Sequence, residues 1–184
     1  GRSEEFARVN AVLDDLWEQF DTLGFTPQLL AVPGNHDLVW QDKKNYDVRA
    51  FRLWEIDEEF REEFWTDAVS PSRQIVNQAF ANYMAWKAAQ RYLPKTIDPG
   101  LLPGDFSFTF EKNGAKLGIV GLNTAFLQLT KDFKDKLALH TQQFHAACGG
   151  DGPKWIKQHH ACLLLTHHPP ECLNADAHKH YQEE

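Results

Sequence analysis

Two short apolar runs constrain this chain more than any other feature. Leu29-Leu30-Ala31-Val32 leads straight into Pro33-Gly34-Asn35-His36-Asp37, and Cys162-Leu163-Leu164-Leu165 leads into Thr166-His167-His168-Pro169-Pro170. A run that is apolar at every position predicts a strand buried on both faces, as in a parallel sheet. In open α/β sheets, sites form beyond the carboxyl ends of the strands. If the two runs are parallel neighbours, their polar sequels meet on one sheet edge, although about 130 residues separate them.

The segments between these runs alternate helix and strand. A helix is expected from Ser3, with Ser3 as its cap and Glu4 and Glu5 at its positive end. Its apolar stripe is Phe6, Val9, Leu13, Leu16, Trp17 and Phe20, and Gly24 is its stop signal. Two further helices are expected over 47–65 and 72–90, separated by Pro71 and followed by Pro94. Phe106, Phe108 and Phe110 then alternate with polar residues, Asn113-Gly114 follows, and a second apolar run covers Leu117 to Leu122. That pattern predicts a β-hairpin with a type I′ turn. Helices are also expected over 136–148 and 153–159, and the tail from Asp176 is polar with helical character. Helix followed by buried strand is the rhythm of an α/β fold, here a single domain over 1–184.

Composition narrows the functional classes. The chain holds 19 basic and 26 acidic residues, a formal charge of −7, so a grip on nucleic acid by phosphate neutralisation is not expected. With 13 Phe and 6 Trp there is bulk for a core, which excludes disorder. No apolar run approaches the roughly 20 residues of a membrane helix. No signal peptide is visible at Gly1-Arg2-Ser3-Glu4-Glu5. Three cysteines without a CxxC pair argue against a disulfide framework and fit a cytoplasmic protein.

The residues after the first run have individual chemistry. Gly34 permits a backbone turn that other residues resist. Asn35 offers a neutral carbonyl oxygen to a divalent cation, and His36 can coordinate or exchange a proton near neutral pH. Asp37 can hold His36 in one tautomer. Gly, Asn and Asp are also common turn residues for purely conformational reasons. After the second run, His167 leaves the strand directly, so the sheet fixes its direction, while alternation sets His168 to flank the site or point away. Elsewhere, His178 and His180 fall on different helix faces and are expected in solvent. His140 and His145 are poorly spaced for one face, and Cys172 lacks a second cysteine at zinc-finger spacing.

Taken together, Pro33-Gly34-Asn35-His36-Asp37, the hairpin leading to Gly121-Leu122-Asn123-Thr124, and Leu164-Leu165-Thr166-His167-His168-Pro169-Pro170 resemble the calcineurin-like metallophosphoesterases in order and separation. That family has five motif blocks, and this chain resembles the third and fourth and everything between. Its first two blocks would precede residue 1 and the fifth would follow residue 184. Gly104-Asp105 is not the missing Gly-Asp block, because it follows the Gly-Asn-His-Asp block and no apolar strand leads into it.

The resemblance implies the central part of a metallophosphoesterase-type β-sandwich flanked by helices, with a helical insertion after the Gly-Asn-His-Asp motif. It implies hydrolysis of a phosphoester by a centre of two divalent metal ions, with Mn, Fe or Zn suited to such ligands. Asn35 and His167 match ligands of one metal. His36 matches the histidine that protonates the leaving group, and Asp37 matches its orienting acid. The expected partner is a phosphorylated substrate, within a larger parent chain and without a membrane. The alternative is a phosphoesterase-like binding or regulatory module that does not turn over.

Overall fold

The computed structural model describes residues 1–131 and 136–183. Its single four-stranded sheet, among the described residues, has the order β1-β2-β3-β4, with β1 at Asp98–Pro99, β2 at Phe106–Lys112, β3 at Ala115–Leu122 and β4 at Ala161–Thr166. The helices are α1 (Ser3–Thr22), α2 (Tyr46–Ala50), α3 (Glu58–Thr66), α4 (Pro71–Ala79), α5 (Ala81–Ala89), α6 (Thr141–Ala147), α7 (Gly152–Ile156) and α8 (Ala175–Glu183).

The expected hairpin is present. β2 and β3 pair antiparallel from Phe106↔Gly121 to Lys112↔Ala115. Asn113 (φ 53°) and Gly114 (φ 80°) supply the two left-handed positions that a type I′ turn requires. β4 then pairs with β3 in parallel, from Leu117↔Ala161 to Leu122↔Thr166. The crossover between them carries α6 and α7, as parallel strands need a long connection.

The other apolar run is different. Leu29–Val32 forms no strand, and the parallel neighbour of β4 is β3. All four residues are half-buried. Their segment is tied by two bonds: the Leu29 amide donates to the Tyr92 carbonyl (2.8 Å), and the Tyr83 hydroxyl donates to the Ala31 carbonyl (2.9 Å). An apolar run becomes a strand only when a neighbouring backbone takes its N–H and C=O groups. Here a helix side chain and a loop carbonyl fill that role.

The helices depart from expectation where a side chain or loop competes for backbone groups. α1 is capped by Arg2, whose amide donates to Glu5, not by Ser3. It ends at Gly24 (φ 77°) as expected. Its stripe is only partly covered: Phe6 is buried and stacks on Trp86 at 5.5 Å, and Trp17 stacks on Tyr92 at 4.5 Å, while Val9 and Leu16 are exposed. The helix expected over 47–65 is broken because Asp57 caps a new helix at the Phe60 amide (3.0 Å). That expected over 72–90 is interrupted at Phe80, where the Ala79 carbonyl accepts the Val39 amide instead of continuing the helical ladder. α6 starts only at Thr141, since Leu137 bridges to Leu173. Phe51, Trp54, Phe64, Trp65 and Phe126 are buried together in the core, with Phe64 and Phe126 stacked at 5.3 Å.

Candidate functional site

The loop after Val32 is built by its own polar groups. The Gly34 amide donates to the Asp37 carboxylate (2.8 Å), and the Asp37 amide donates to the Gly34 carbonyl (3.1 Å). Asp37 therefore closes the turn. It is held on Gly34, and no hydrogen bond joins it to His36 among the described residues. Asn35 and Asp37 are half-buried and His36 is exposed. The Tyr83 hydroxyl anchors the preceding segment, and burial, with the Asp37 charge nearby, holds that hydroxyl well above its usual range. Pro33 lies against Gly104 (φ 95°), where a Cβ would come within 2.4 Å of the proline ring.

Gly34 carries the geometric fact that matters most. A Cβ there would sit 2.5 Å from Cε1 of His167 and 2.6 and 2.7 Å from its two ring nitrogens. Its φ lies outside the left-handed region, so glycine is needed for close approach, not for the unusual turn expected from the sequence. The His167 imidazole lies flat on the loop that carries Asn35, His36 and Asp37. Two motifs far apart in sequence thus meet, even though only one arrives on a strand.

Beneath this surface lies a buried polar network that sequence reasoning missed. Asp105 is almost fully buried and accepts the Leu102 amide (2.9 Å), the Asn123 amide (2.7 Å) and the Gln143 side-chain amide (3.2 and 3.3 Å). Complete burial pushes its carboxyl up to about 7 against the pull of these donors. Asn123 donates to the Pro103 carbonyl (2.9 Å) and accepts the Ala125 amide (2.8 Å). Lys87 reaches the Gly104 carbonyl (3.3 Å) and lies over the Phe106 ring, and burial pushes its amine down to about 8. The readable signal was Asn123-Thr124 at the end of the hairpin and Asp105 before it: polar residues where the flanking pattern is apolar.

His168 is buried beside exposed His167, both lying in the bend just past β4 and so outside any strand alternation, and its ring is 88° to that of His167 with centroids 4.6 Å apart. Burial, then the neighbouring His167, pushes its imidazole down to about 4.

A second histidine pair lies elsewhere and corrects an expectation. His180 is not a solvated surface group: its Nδ1 is buried without a partner among the described residues, and its ring is 4.5 Å from that of His140. His140 in turn stacks on Trp65 at 4.9 Å. Burial and His180 push His140 down to about 4. The pair lines an open cavity of about 780 Å³ with Glu58, Glu62 and Asp176 on its walls.

Among the described residues, no three His, Cys, Asp or Glu side chains gather as a metal-binding group, and no helix is long and apolar enough to cross a membrane. Compared with protein-family models, with curated proteins and with solved structures, the chain matches none.

Proposed function

We propose that the Gly34–Asp37 loop and His167 form one side of a metal-dependent phosphoester-hydrolysing site, in a fold of the metallophosphoesterase type. The observation that carries this reading is the His167 ring packed on Gly34, which sets His167 against the loop that carries Asn35 and His36. Asn35 offers an amide oxygen and His167 an imidazole nitrogen, and Asp37 is engaged with the Gly34 amide. An amide oxygen and an imidazole nitrogen are ligand types that suit a divalent ion, and two are short of the four or more it takes. The remaining ligands, on this reading, come from segments beyond these 184 residues. A metal pair, when bound, activates water and neutralises charge on the phosphoryl oxygens.

The chain's own residues divide the remaining work. His36 is exposed at the rim, free to donate a proton to a departing oxygen, an effect worth roughly 100- to 10,000-fold. Asp37 and Tyr83 fix the loop that aims it. The experiment is metal titration and aryl phosphate hydrolysis, both mono- and diester, on the intact domain. His167→Ala should strip metal. His36→Ala should keep metal and lose turnover at least 100-fold. Equal loss of metal and activity in His36→Ala would make His36 a ligand and overturn its role as donor. Metal binding without turnover in the unaltered protein would favour a binding module over an enzyme.

A further inference from the structure

Away from the candidate site, the structure seats a histidine against a hydroxyl on an exposed part of the sheet. Thr109 Oγ1 on β2 lies 2.8 Å from His159 Nε2, and His159 Nδ1 lies 2.7 Å from the Trp155 carbonyl oxygen. A carbonyl oxygen carries no proton and only accepts, so the proton in that second contact belongs to Nδ1. In the neutral ring Nε2 is then bare. The proton in the first contact is therefore the hydroxyl's own, and Thr109 donates it to Nε2. Gly118 makes room for this arrangement: it stands opposite Thr109 on β3, and a Cβ there would meet the Trp155 ring at 2.5 Å and His159 Cγ at 3.0 Å. The Trp155 ring packs on His159 with centroids 4.0 Å apart. The neighbouring His160 is engaged elsewhere, its Nδ1 accepting the Lys116 amide (3.0 Å). Thr109 is exposed and His159 half-buried.

A hydroxyl within hydrogen-bond reach of a base that a third group orients is the arrangement of an activated nucleophile. We propose that Thr109 and His159 are a nucleophile and its general base, forming a second reactive site that accepts an acyl group from an activated ester. Thr109 Oγ1 attacks the ester carbonyl carbon while its proton passes to His159 Nε2. The bond from that carbon to the leaving oxygen breaks, and the leaving oxygen takes the proton from His159. The products are O-acyl Thr109 and the free alcohol, with no change of oxidation state. The Trp155 carbonyl, bonded to Nδ1, keeps the neutral ring in the tautomer that accepts the Thr109 proton and supports the ring once it is charged. The site shares no residue with the Gly34–Asp37 loop or His167, so it is independent of any metal held there.

The test exposes the full chain to para-nitrophenyl acetate in the presence of EDTA and maps the acetylated peptides by mass spectrometry. Thr109 should carry the acetyl group ahead of the exposed hydroxyls of Thr22 and Thr66, which are each bonded to a helix carbonyl. Thr109→Ser should be labelled at the same position. His159→Gln, with its fold checked by circular dichroism, should slow the labelling roughly 100- to 10,000-fold, the usual contribution of a positioned general base. Cys162→Ser, which removes the exposed thiol opposite Gly118, should leave the Thr109 label in place. An unlabelled Thr109 in the unaltered chain overturns the proposal without any variant, so misfolding of His159→Gln leaves it falsifiable. Equal labelling of Thr22, Thr66 and Thr109, or an unchanged rate in folded His159→Gln, also overturns it. So does a Thr109 label that disappears in Cys162→Ser, which would make the thiol the nucleophile.

Discussion

Two segments deliver side chains to the candidate site, and they are held in opposite ways. β4 delivers His167 one residue past the end of a ladder, paired with β3 along its whole length, yet four of its six residues are exposed. Leu29–Val32 brings the Gly34–Asp37 loop without a ladder, half-buried and tied by a helix tyrosine and a loop carbonyl. Burial and strand formation are thus separate matters here. Backbone pairing decides what is a strand, and packing decides what is covered. The two segments meet where the His167 ring packs on Gly34, and Asp105 braces both: its neighbour Gly104 packs on Pro33, and its carboxylate holds Asn123 just past β3.

Removing that common brace should have the largest effect. Asp105→Ala leaves the Leu102 and Asn123 amides and the Gln143 side chain without their acceptor, at a cost of about 3 to 5 kcal/mol in chemical denaturation. Its carboxyl also carries a pH signature. Between the ordinary carboxylate value and about 7, the unfolded chain has lost this proton and the folded chain keeps it. The folded state binds more protons there, so this contribution is full at low pH and is lost as pH rises through the window. His140 and His168, both pushed down to about 4, act with the opposite sign but persist in Asp105→Asn. The difference between the two stability–pH curves therefore isolates Asp105. It should fall between pH 4 and 7, and a flat difference would refute the assignment.

Gly34→Ala attacks the junction itself. The added methyl meets the His167 ring, so a loss of about 1 to 3 kcal/mol is expected, with displaced His167 ring resonances. A stable variant with unmoved His167 signals would separate the two segments. Tyr83→Phe is the smallest change. It removes one of the two bonds on Leu29–Val32 and should cost about 1 kcal/mol, with faster proteolysis confined to that segment while β4 is unaffected.

How much of this was legible follows the same division. The hairpin could be read because its information is local: alternating Phe106, Phe108 and Phe110, then Asn113-Gly114. β4 was readable from its apolar run because a partner exists for it. Leu29–Val32 carries an equally good run, and nothing within it says that no backbone will lie alongside. The two motifs were expected to meet at the edge of two neighbouring parallel strands; His167 and Gly34 do meet, but without the second strand, and the reason for the glycine was not foreseen. Room for a ring is a property of the far residue. Asp105 stayed hidden as a site-building residue because its importance lies in donors contributed by Leu102 and Gln143, which adjacency in sequence does not reveal.

The parallel pairing of β3 with β4 has a consequence for the order in which the molecule forms. The β2–β3 hairpin closes over a two-residue turn and is available early, since short loops close quickly. β4 must wait for the chain from Leu122 to Ala161 to be gathered, with its two helices, before it has anything to pair with. His167 is carried in on that last strand, so the site is completed at the end of folding. β4 is also an edge strand, paired on one side only among the described residues. The residue that joins the two motifs is therefore delivered by a long-range pairing, not by a local turn.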